Sequence, residues 1–304
     1  MCNIRLVCGV ELELEYNKIL VGYIESASYH SDDNRESFGK RWYCEQDGSL
    51  ECRKWEYDDG GDTTEIISIP FISSDYRKFL KSFENNLYKR VAKHLDISTK
   101  IARQRYKMND LINFNDSMGC HIHIGVLKDN PLKHVSISGR HSAYTFEGER
   151  VDINNITTYN VLNRISKALL KKVKKNFTES FFSNWNEHFY REMSKPIEQE
   201  LDKHDRYTEW NFCNRNRLEF RSFNLLGIKT WKQFYKLFGL AFNTIDAEFS
   251  REFKKKTAFS EKTDVDLSDL PIRLYADCNK NLVYAKKKFT NHNFRYNVGC
   301  FENI

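Results

Sequence analysis

Three segments of the chain repeat apolar residues every three or four positions, the spacing that places them on one face of an α-helix. The segments are residues 75–95, 157–177 and 230–253. In the last of them, Phe234, Phe238 and Phe242 follow this spacing. Such an aromatic stripe is more typical of a packed core than of a cofactor site. The pattern therefore predicts three helices that pack against a core.

Shorter segments of the chain alternate apolar and polar residues, which is the pattern of a strand with one buried face. They are residues 9–16, 41–45, 65–70, 119–126 and 217–223. Helices do not separate these strands one by one, which disfavours a parallel arrangement of β-α-β units. We therefore predict an α+β fold, in which helices cover one face of an antiparallel or mixed sheet.

The composition indicates a globular protein of one or two domains. The chain has 304 residues, of which 40% are hydrophobic and 14% aromatic. It contains no run of about eighteen apolar residues, so we expect no membrane-spanning helix. Acidic residues near its start are unlike a signal peptide. Its eight cysteines form no C-x-x-C pair, so we expect a cytoplasmic protein with reduced thiols.

The positive charge of the chain is modest and dispersed. The net charge is +6, and lysines cluster at residues 171–175, 254–256 and 286–288. Such clusters are typical of solvated surfaces. A nucleic-acid interface would be better supported by aromatic residues interleaved with the basic ones. Nucleic-acid binding is therefore an alternative, and the charge pattern does not favour it.

The first predicted strand carries three carboxylates on one face. In the sequence GVELELEY, Glu11, Glu13 and Glu15 alternate with apolar residues. Glutamate is depleted in strands, and neighbouring carboxylates repel one another unless a cation lies between them. A solvated edge strand and a site for a divalent cation both explain this pattern.

Three other strands carry charged or titratable residues at alternate positions. His121 and His123 share one face of the strand at 119–126, and Glu65 interrupts an otherwise apolar strand. In NRLEFRSFN, the alternation predicts that Glu219, Arg221 and Phe223 share a face. Structural explanations remain open for each: hydrogen-bonded histidines, a paired glutamate and an ion pair. Together, however, these residues suit a site for a metal ion and a nucleotide.

The order of these motifs resembles that of the amidoligase branch of the glutamine synthetase-like carboxylate–amine ligases. The matching segments are residues 9–13, Trp42 with residues 47–50, and residues 65–70, 119–125, 206–211 and 218–223. They imply a single catalytic domain over residues 1–304. Residues 127–205 have no matching motif and are predicted to be a substrate-specific insertion, and residues 255–304 stay unassigned.

The resemblance also implies a fold and a set of site residues. The fold would be a curved antiparallel sheet with helices on one face, and the concave face would bind ATP with Mg²⁺ or Mn²⁺. The implied metal ligands are Glu11, Glu13, Glu65, His121 and Glu219. The implied nucleotide contacts are His123, Arg206, Arg221 and Glu11, and the implied catalytic residues are Arg206, Arg221 and Asp47. Asp47 would hold or deprotonate an amine, although an Asp-Gly pair also fits a simple turn.

The implied activity is the ATP-dependent formation of an amide bond through an acyl phosphate. The carboxylate and amine substrates could belong to amino acids, peptides or a modified nucleotide. Two alternatives stay open: a kinase of a small metabolite on the same fold, and a basic nucleic-acid-binding protein without catalysis.

Overall fold

The computed structural model describes residues 4–25, 27–28, 36–39, 41–55, 60–128, 133–138, 141–145, 159–193, 210–214 and 217–263. Within these ranges, helices pack on an open, mostly antiparallel sheet. This arrangement confirms the predicted α+β class.

The larger sheet contains ten strands within the described ranges, seven of them in the order β11-β12-β8-β1-β5-β4-β2. Strand β3 pairs with β4, and the short strands β6 and β7 pair with β1. The pairs are antiparallel except for β2 with β4. Strands β9 and β10 form a separate hairpin. The strands are β1 (Ile4–Asn17), β2 (Ala27–Ser28), β3 (Glu36–Ser37), β4 (Trp42–Gln46), β5 (Gly61–Ser68), β6 (Phe71–Ile72), β7 (Ile112–Asn113), β8 (Cys120–Lys128), β9 (Lys133–Ser138), β10 (His141–Thr145), β11 (Trp210–Asn214) and β12 (Arg217–Phe220).

Helices form at all three segments that the apolar periodicity indicated. The helices are α1 (Lys18–Val21), α2 (Tyr76–His94), α3 (Thr99–Arg105), α4 (Met108–Leu111), α5 (Tyr159–Asn176), α6 (Glu179–Met193) and α7 (Trp231–Thr263). Helix α7 continues ten residues beyond the predicted segment. At its start, the Gln233 backbone N–H donates to Thr230 Oγ1, and the Thr230 backbone N–H donates back to the Gln233 side chain. This reciprocal capping fixes where α7 begins.

The core lies between the sheet and helices α2, α5 and α7. In β1, Val10, Leu12 and Leu14 point into it and are completely buried. Phe234 of α7 lies 6.0 Å, between ring centroids, from Phe83 of α2. Burying one such side chain stabilises a fold by roughly 1.5–3 kcal/mol. Because strand residues alternate, the glutamates between these apolar residues face the other side of the sheet.

Part of the segment 127–205, which we predicted to be an insertion, contributes to this same core. Ile165 and Leu169 of α5 and Trp185 of α6 are fully buried in it. The Trp185 indole N–H donates to the Asn224 carbonyl at 3.0 Å. Helices α5 and α6 are therefore part of the framework of the fold. Among the described residues, no helix is both long and apolar enough to cross a membrane.

The predicted strand at residues 217–223 is too long. Strand β12 ends at Phe220, and the chain then leaves the sheet. Phe223 is fully buried, and its ring centroid lies 5.1 Å from that of Phe238 in α7. The prediction that Phe223 shares a face with Glu219 and Arg221 is therefore wrong, because strand alternation no longer applies after Phe220.

We expect Glu84→Gln to lower the free energy of unfolding by about 1–3 kcal/mol at pH 7. Glu84 is a buried carboxylate of α2 that accepts hydrogen bonds from Tyr235, Arg103 and Lys81. Burial raises its pKa, but these donors outweigh burial and hold the pKa below its ordinary value. Urea unfolding of the two proteins measures the difference.

The effect of Glu84→Gln should depend on pH. Because the pKa of Glu84 is lower in the folded state, its stabilisation is fully present above the ordinary carboxyl pKa, near 4.3. It is lost as the pH falls through the lower, folded-state value. The matched control is Glu187→Gln, at an exposed position of α6. A difference for Glu84→Gln that is as large in strong acid as at pH 7 would contradict the role of its charge.

Candidate metal centre

Four adjacent strands bring the predicted glutamates and histidines together on one face of the sheet. Between β1 and β8, Glu11 lies opposite His121. Between β12 and β8, Glu219 lies opposite His123. Between β1 and β5, Glu13 lies opposite Glu65. The prediction that these segments form one sheet is therefore confirmed, and the face opposite the helices carries the cluster.

Both histidines lie against carboxylates. His121 Nδ1 is 3.0 Å from Glu11 Oε2 and 3.1 Å from Glu219 Oε1. His123 Nε2 is 2.7 Å from Glu11 Oε1. Burial by itself lowers the pKa of His121, but the hydrogen bond to Glu11 and the charge of Glu219 outweigh burial and raise it. Glu11 therefore lies between the two imidazoles and contacts both.

One group of three side chains has the geometry of a cation site. A carboxylate oxygen of Glu11, a ring nitrogen of His123 and a carboxylate oxygen of Glu219 all lie within 4.8 Å of one another. Both ring nitrogens of His123 are buried and have no hydrogen-bond partner among the described residues. The approach of Nε2 to Glu11 therefore lacks hydrogen-bond geometry, although it is short. A buried nitrogen without a hydrogen bond is costly, and a bound cation would satisfy it.

The chemistry of these three side chains fits a divalent cation. Carboxylate oxygens are the ligands that Mg²⁺ and Mn²⁺ prefer, and an imidazole nitrogen can join them. His123 is part of this group, whereas His121 hydrogen-bonds to Glu11 beside it. The resemblance assigned the ligand role to His121 and the nucleotide contact to His123. The geometry places both histidines at the site.

Neighbouring side chains hold Glu219 in place. Arg221 Nη1 donates to Glu219 Oε1 at 2.6 Å, and Asn211 Nδ2 donates to Oε2 at 2.9 Å. Burial raises the pKa of Glu219, but the charges of His121, His123 and Arg221 outweigh burial and lower it. Glu219 is therefore a fixed, charged carboxylate. Such supporting contacts are typical of metal ligands.

Glu11 is charged for a related reason. Burial by itself raises the pKa of Glu11, but the charge of His123 and the hydrogen bond from His121 outweigh burial. The pKa of Glu11 is therefore held well below its ordinary value. Of the three side chains that could bind a cation, two are thus carboxylates kept in the charged form.

The other end of the cluster is strongly acidic. Glu65 is buried, and its strand neighbours are Glu13 and Glu45. Burial raises the pKa of Glu65 well above its ordinary value, and the charges of Glu11, Glu13, Glu45 and Asp47 raise it further. Glu45 lies outside the motifs that the sequence offers for the site. The alternation in β4, which buries Trp42 and Cys44 in the core, would have placed Glu45 on the site face.

The carboxylates of β1 have different roles. Glu13 accepts a hydrogen bond from the Gly119 backbone N–H. Glu15 is completely buried and accepts from the backbone N–H groups of Arg53 and Lys54 at 2.7 and 2.9 Å. These contacts lower the pKa of Glu15 despite its burial. Glu15 thus anchors the 51–55 segment to the sheet, so the carboxylate row is part site and part structure.

Asp47 and Arg206 are the other two predicted catalytic residues, and neither has the support that the contact with Glu219 gives to Arg221. Asp47 Oδ1 accepts from the backbone N–H and the hydroxyl of Ser49 at 2.8 and 2.7 Å. These are the hydrogen bonds of a turn, so the structural explanation for Asp47 has direct support. Arg206 lies outside the described residues, and its role stays a prediction.

We expect Gly119→Ala to weaken Mn²⁺ binding at the site at least about tenfold, with little loss of stability. A Cβ atom at Gly119 would lie 2.7 Å from His121 Nε2 and 3.2 Å from Glu13 Oε2. Both side chains would have to move, which changes the position of two predicted ligands. Mn²⁺ affinity and thermal unfolding measure the two effects.

The matched control is Gly239→Ala in α7. A Cβ atom there would lie 3.0 Å from the hydroxyl at the end of the Tyr76 side chain, which can move. We expect this variant to bind Mn²⁺ as the wild type does. Wild-type Mn²⁺ affinity in Gly119→Ala would show that the glycine is not needed for close packing of the cluster.

No protein-family model matches the chain, and a search of curated proteins found no significant similarity.

Proposed function

We propose that this protein is an ATP- and Mg²⁺-dependent carboxylate–amine ligase with a glutamine synthetase-like catalytic fold. One observation carries the proposal: Glu11, His121, His123 and Glu219 converge on one sheet face, with Arg221 bonded to Glu219. The order of the sequence motifs gives additional support. Mn²⁺ is an alternative to Mg²⁺ because the group includes an imidazole.

The group of side chains that would hold the cation is Glu11, His123 and Glu219, with His121 beside them. Glu13 and Glu65 extend the acidic face and are the remaining ligands that the resemblance implies. When bound, Mg²⁺ would neutralise the charge of the nucleotide phosphates during transfer. Without a cation, these carboxylates would repel the phosphates.

Arg221 is the residue best placed to contact a phosphate. Its guanidinium lies at the surface of the cluster, with one quarter of its side chain exposed (25%), and one of its nitrogens holds Glu219. A planar guanidinium matches the geometry of phosphate oxygens. Arg221 would thereby connect the metal ligand to the phosphate that is transferred.

The reaction would proceed in two steps. A substrate carboxylate oxygen would attack the γ-phosphorus of ATP, ADP would leave, and an acyl phosphate would form. The nitrogen of an amine would then attack the acyl carbon and lose a proton as the amide forms, and phosphate would leave. Arg221, and by resemblance Arg206, would stabilise the charge on the departing phosphate.

The acidic end of the cluster could attract the amine substrate of the proposed reaction through its negative charge. Glu45 and Asp47 place negative charge next to the metal group, and the charges of both act on the buried Glu65. A cationic amine would be attracted there, whereas a second anionic substrate would be repelled. Free amino acids, peptides and a modified nucleotide can each present an amino group to this end of the cluster.

Product analysis tests the proposal. The purified protein is incubated with ATP, Mg²⁺, a pool of amino acids and short peptides, and hydroxylamine, which traps an acyl phosphate as a hydroxamate. We expect ADP, phosphate and a hydroxamate that depend on a carboxylate substrate. Release of AMP and pyrophosphate would refute the mechanism. ADP with a stable phosphorylated metabolite would instead identify the small-metabolite kinase.

A nucleic-acid-binding protein without catalysis remains the alternative of a different class. Binding of this kind weakens steeply with salt and does not need a divalent cation. The carboxylate face disfavours this alternative because it would repel a phosphate backbone. Cation-independent binding of RNA or DNA at this face would overturn the ligase proposal.

A further inference from the structure

A cavity lies on the helix-covered side of the sheet, away from the carboxylate cluster. Its volume is about 450 Å³, and α2 and the segment leading into β4 form its walls. Small-molecule sites are roughly 300–1,000 Å³ in volume. The Trp42 indole N–H donates to Ser82 of α2 at 2.9 Å, whereas Glu45 on the same strand faces Glu65. The cavity and the metal group are therefore on opposite faces of the sheet.

The lining of this cavity is positively charged. Arg41, Lys89 and Arg90 line it together with Phe38, Ser82 and Asn85, and no carboxylate is among the described lining residues. Like charges that share a concave site repel one another, and low-dielectric walls strengthen their combined field. An anion of matching charge would relieve this repulsion.

The three cations have no carboxylate partner within the described ranges. The Arg41 guanidinium lies 5.0 Å from the centroid of the Phe79 ring. Arg90 donates through Nη2 to the Tyr23 carbonyl at 2.6 Å, but its Nε is buried without a hydrogen-bond partner. A buried N–H group without a partner is costly. Its position at this cavity is an independent observation that points to a ligand with a hydrogen-bond acceptor.

Most polar groups still available around the cavity are hydrogen-bond donors; the exception is the side-chain oxygen of Asn86, whose amide nitrogen donates to the Phe38 carbonyl. Asn85 Oδ1 accepts from Arg103, which leaves the Asn85 amide N–H groups free to donate. The Ser82 hydroxyl donates to the Phe79 carbonyl and accepts from Trp42, so it has no hydrogen left to donate to a ligand. Guanidinium, ammonium and amide donors are the groups that bind an oxyanion.

The charge favours phosphate over a single carboxylate. A carboxylate carries one negative charge, whereas a phosphate monoester carries about −1.5 to −2 at neutral pH. Three cations are therefore better matched by one or two phosphate groups. The guanidinium of Arg41 also matches the geometry of phosphate oxygens. We propose that this cavity binds a small molecule through its phosphate groups, separately from the carboxylate face.

Isothermal titration calorimetry with inorganic pyrophosphate tests this proposal. The full-length protein is titrated in buffer freed of divalent cations, so that the metal group does not contribute. We expect the wild type to bind, and Arg41→Gln and Lys89→Gln each to weaken binding about tenfold or more, since each removes a charged donor. Arg90 is not substituted, because its Nη2 also donates a hydrogen bond to the Tyr23 carbonyl and its replacement would disturb that contact. Thermal unfolding confirms that both variants are folded.

Two control variants locate the binding. Lys93→Gln removes the same charge from an exposed position of α2 outside the cavity, and we expect its affinity to stay within about twofold of the wild type. Glu219→Gln alters the carboxylate face and should leave pyrophosphate binding unchanged. The result thus does not depend on whether the protein is a ligase.

Several outcomes would overturn the proposal. The wild type could fail to bind pyrophosphate, or either cavity variant could bind as tightly as the wild type. Loss of binding in Lys93→Gln would indicate a non-specific effect of surface charge, and loss in Glu219→Gln would place the phosphate on the carboxylate face. Tighter binding of citrate than of pyrophosphate would reject phosphate as the ligand class.

Discussion

Glu219→Gln should lower ATP turnover and Mn²⁺ affinity by at least about a hundredfold while the fold stays intact. Changing the partner of a metal ligand typically costs roughly 10–100-fold, and removing the charge of the ligand itself should cost more. Glu219 is buried, charged and held by Arg221 and Asn211. The glutamine keeps the size of the side chain, so the change isolates the charge. Calorimetric Mn²⁺ binding and an ADP-release assay measure the effect.

The control for Glu219→Gln is Glu248→Gln in α7. Glu248 is also a largely buried carboxylate, and it accepts from Arg164 Nε at 2.9 Å on the helical side of the fold. We expect this variant to lose some stability and to retain Mn²⁺ affinity. If Glu219→Gln bound Mn²⁺ as tightly as the wild type, Glu219 would not be a metal ligand.

Arg221→Lys should reduce turnover roughly 10–100-fold although the positive charge is kept. Lysine replaces a planar group of several N–H donors by a single ammonium. The three N–H groups of lysine belong to one nitrogen atom, so they do not reproduce the planar, spaced donors with which a guanidinium holds Glu219 and would contact a phosphate. We expect the loss mainly in kcat, since Arg221 would act on the phosphate during transfer. Steady-state kinetics with ATP measures the two parameters.

The matched change for Arg221→Lys is Arg251→Lys in α7. Arg251 is exposed, and its Nη1 lies 3.6 Å from Glu248 Oε1. An exposed pair of this kind contributes little, about 0–1 kcal/mol. We expect wild-type turnover in this variant. Equal activities of Arg221→Lys and Arg251→Lys would exclude a specific role for the Arg221 guanidinium.

The sequence predicted the sheet face of the site because alternation is a local property. Glu11 and Glu13 are separated by one residue, and so are His121 and His123, so each pair had to share a face in any strand. Which strands are neighbours is not local. The resemblance implied that they meet, and the pairing of Glu11 with His121 is visible only in the structure.

The errors have equally physical causes. Alternation was extended through Phe223, but the strand ends at Phe220, and apolar packing against Phe238 decides where Phe223 lies. Glu45 was missed because a single glutamate in a five-residue strand is an ordinary pattern. Its place beside Glu65 depends on the pairing of β4 with β5.

Some roles cannot be read from a motif because one residue type serves two purposes. Glu15 continues the row of glutamates in β1, yet it holds the backbone of Arg53 and Lys54. Asp47 lies in a motif that the resemblance connects with the substrate, yet one of its oxygens caps a turn at Ser49. The hydrogen-bond partners decide between such roles, and the sequence does not contain them.

The most direct test of the proposed site is a crystal structure of the protein with Mn²⁺ and a non-hydrolysable ATP analogue. Anomalous scattering identifies the cation independently of the nucleotide. We expect an anomalous peak bordered by Glu11, His123 and Glu219, with the terminal phosphate of the analogue next to it and within reach of Arg221. A carboxylate face empty of cation and nucleotide at saturating concentrations, or a cation and nucleotide bound elsewhere, would contradict the proposed function.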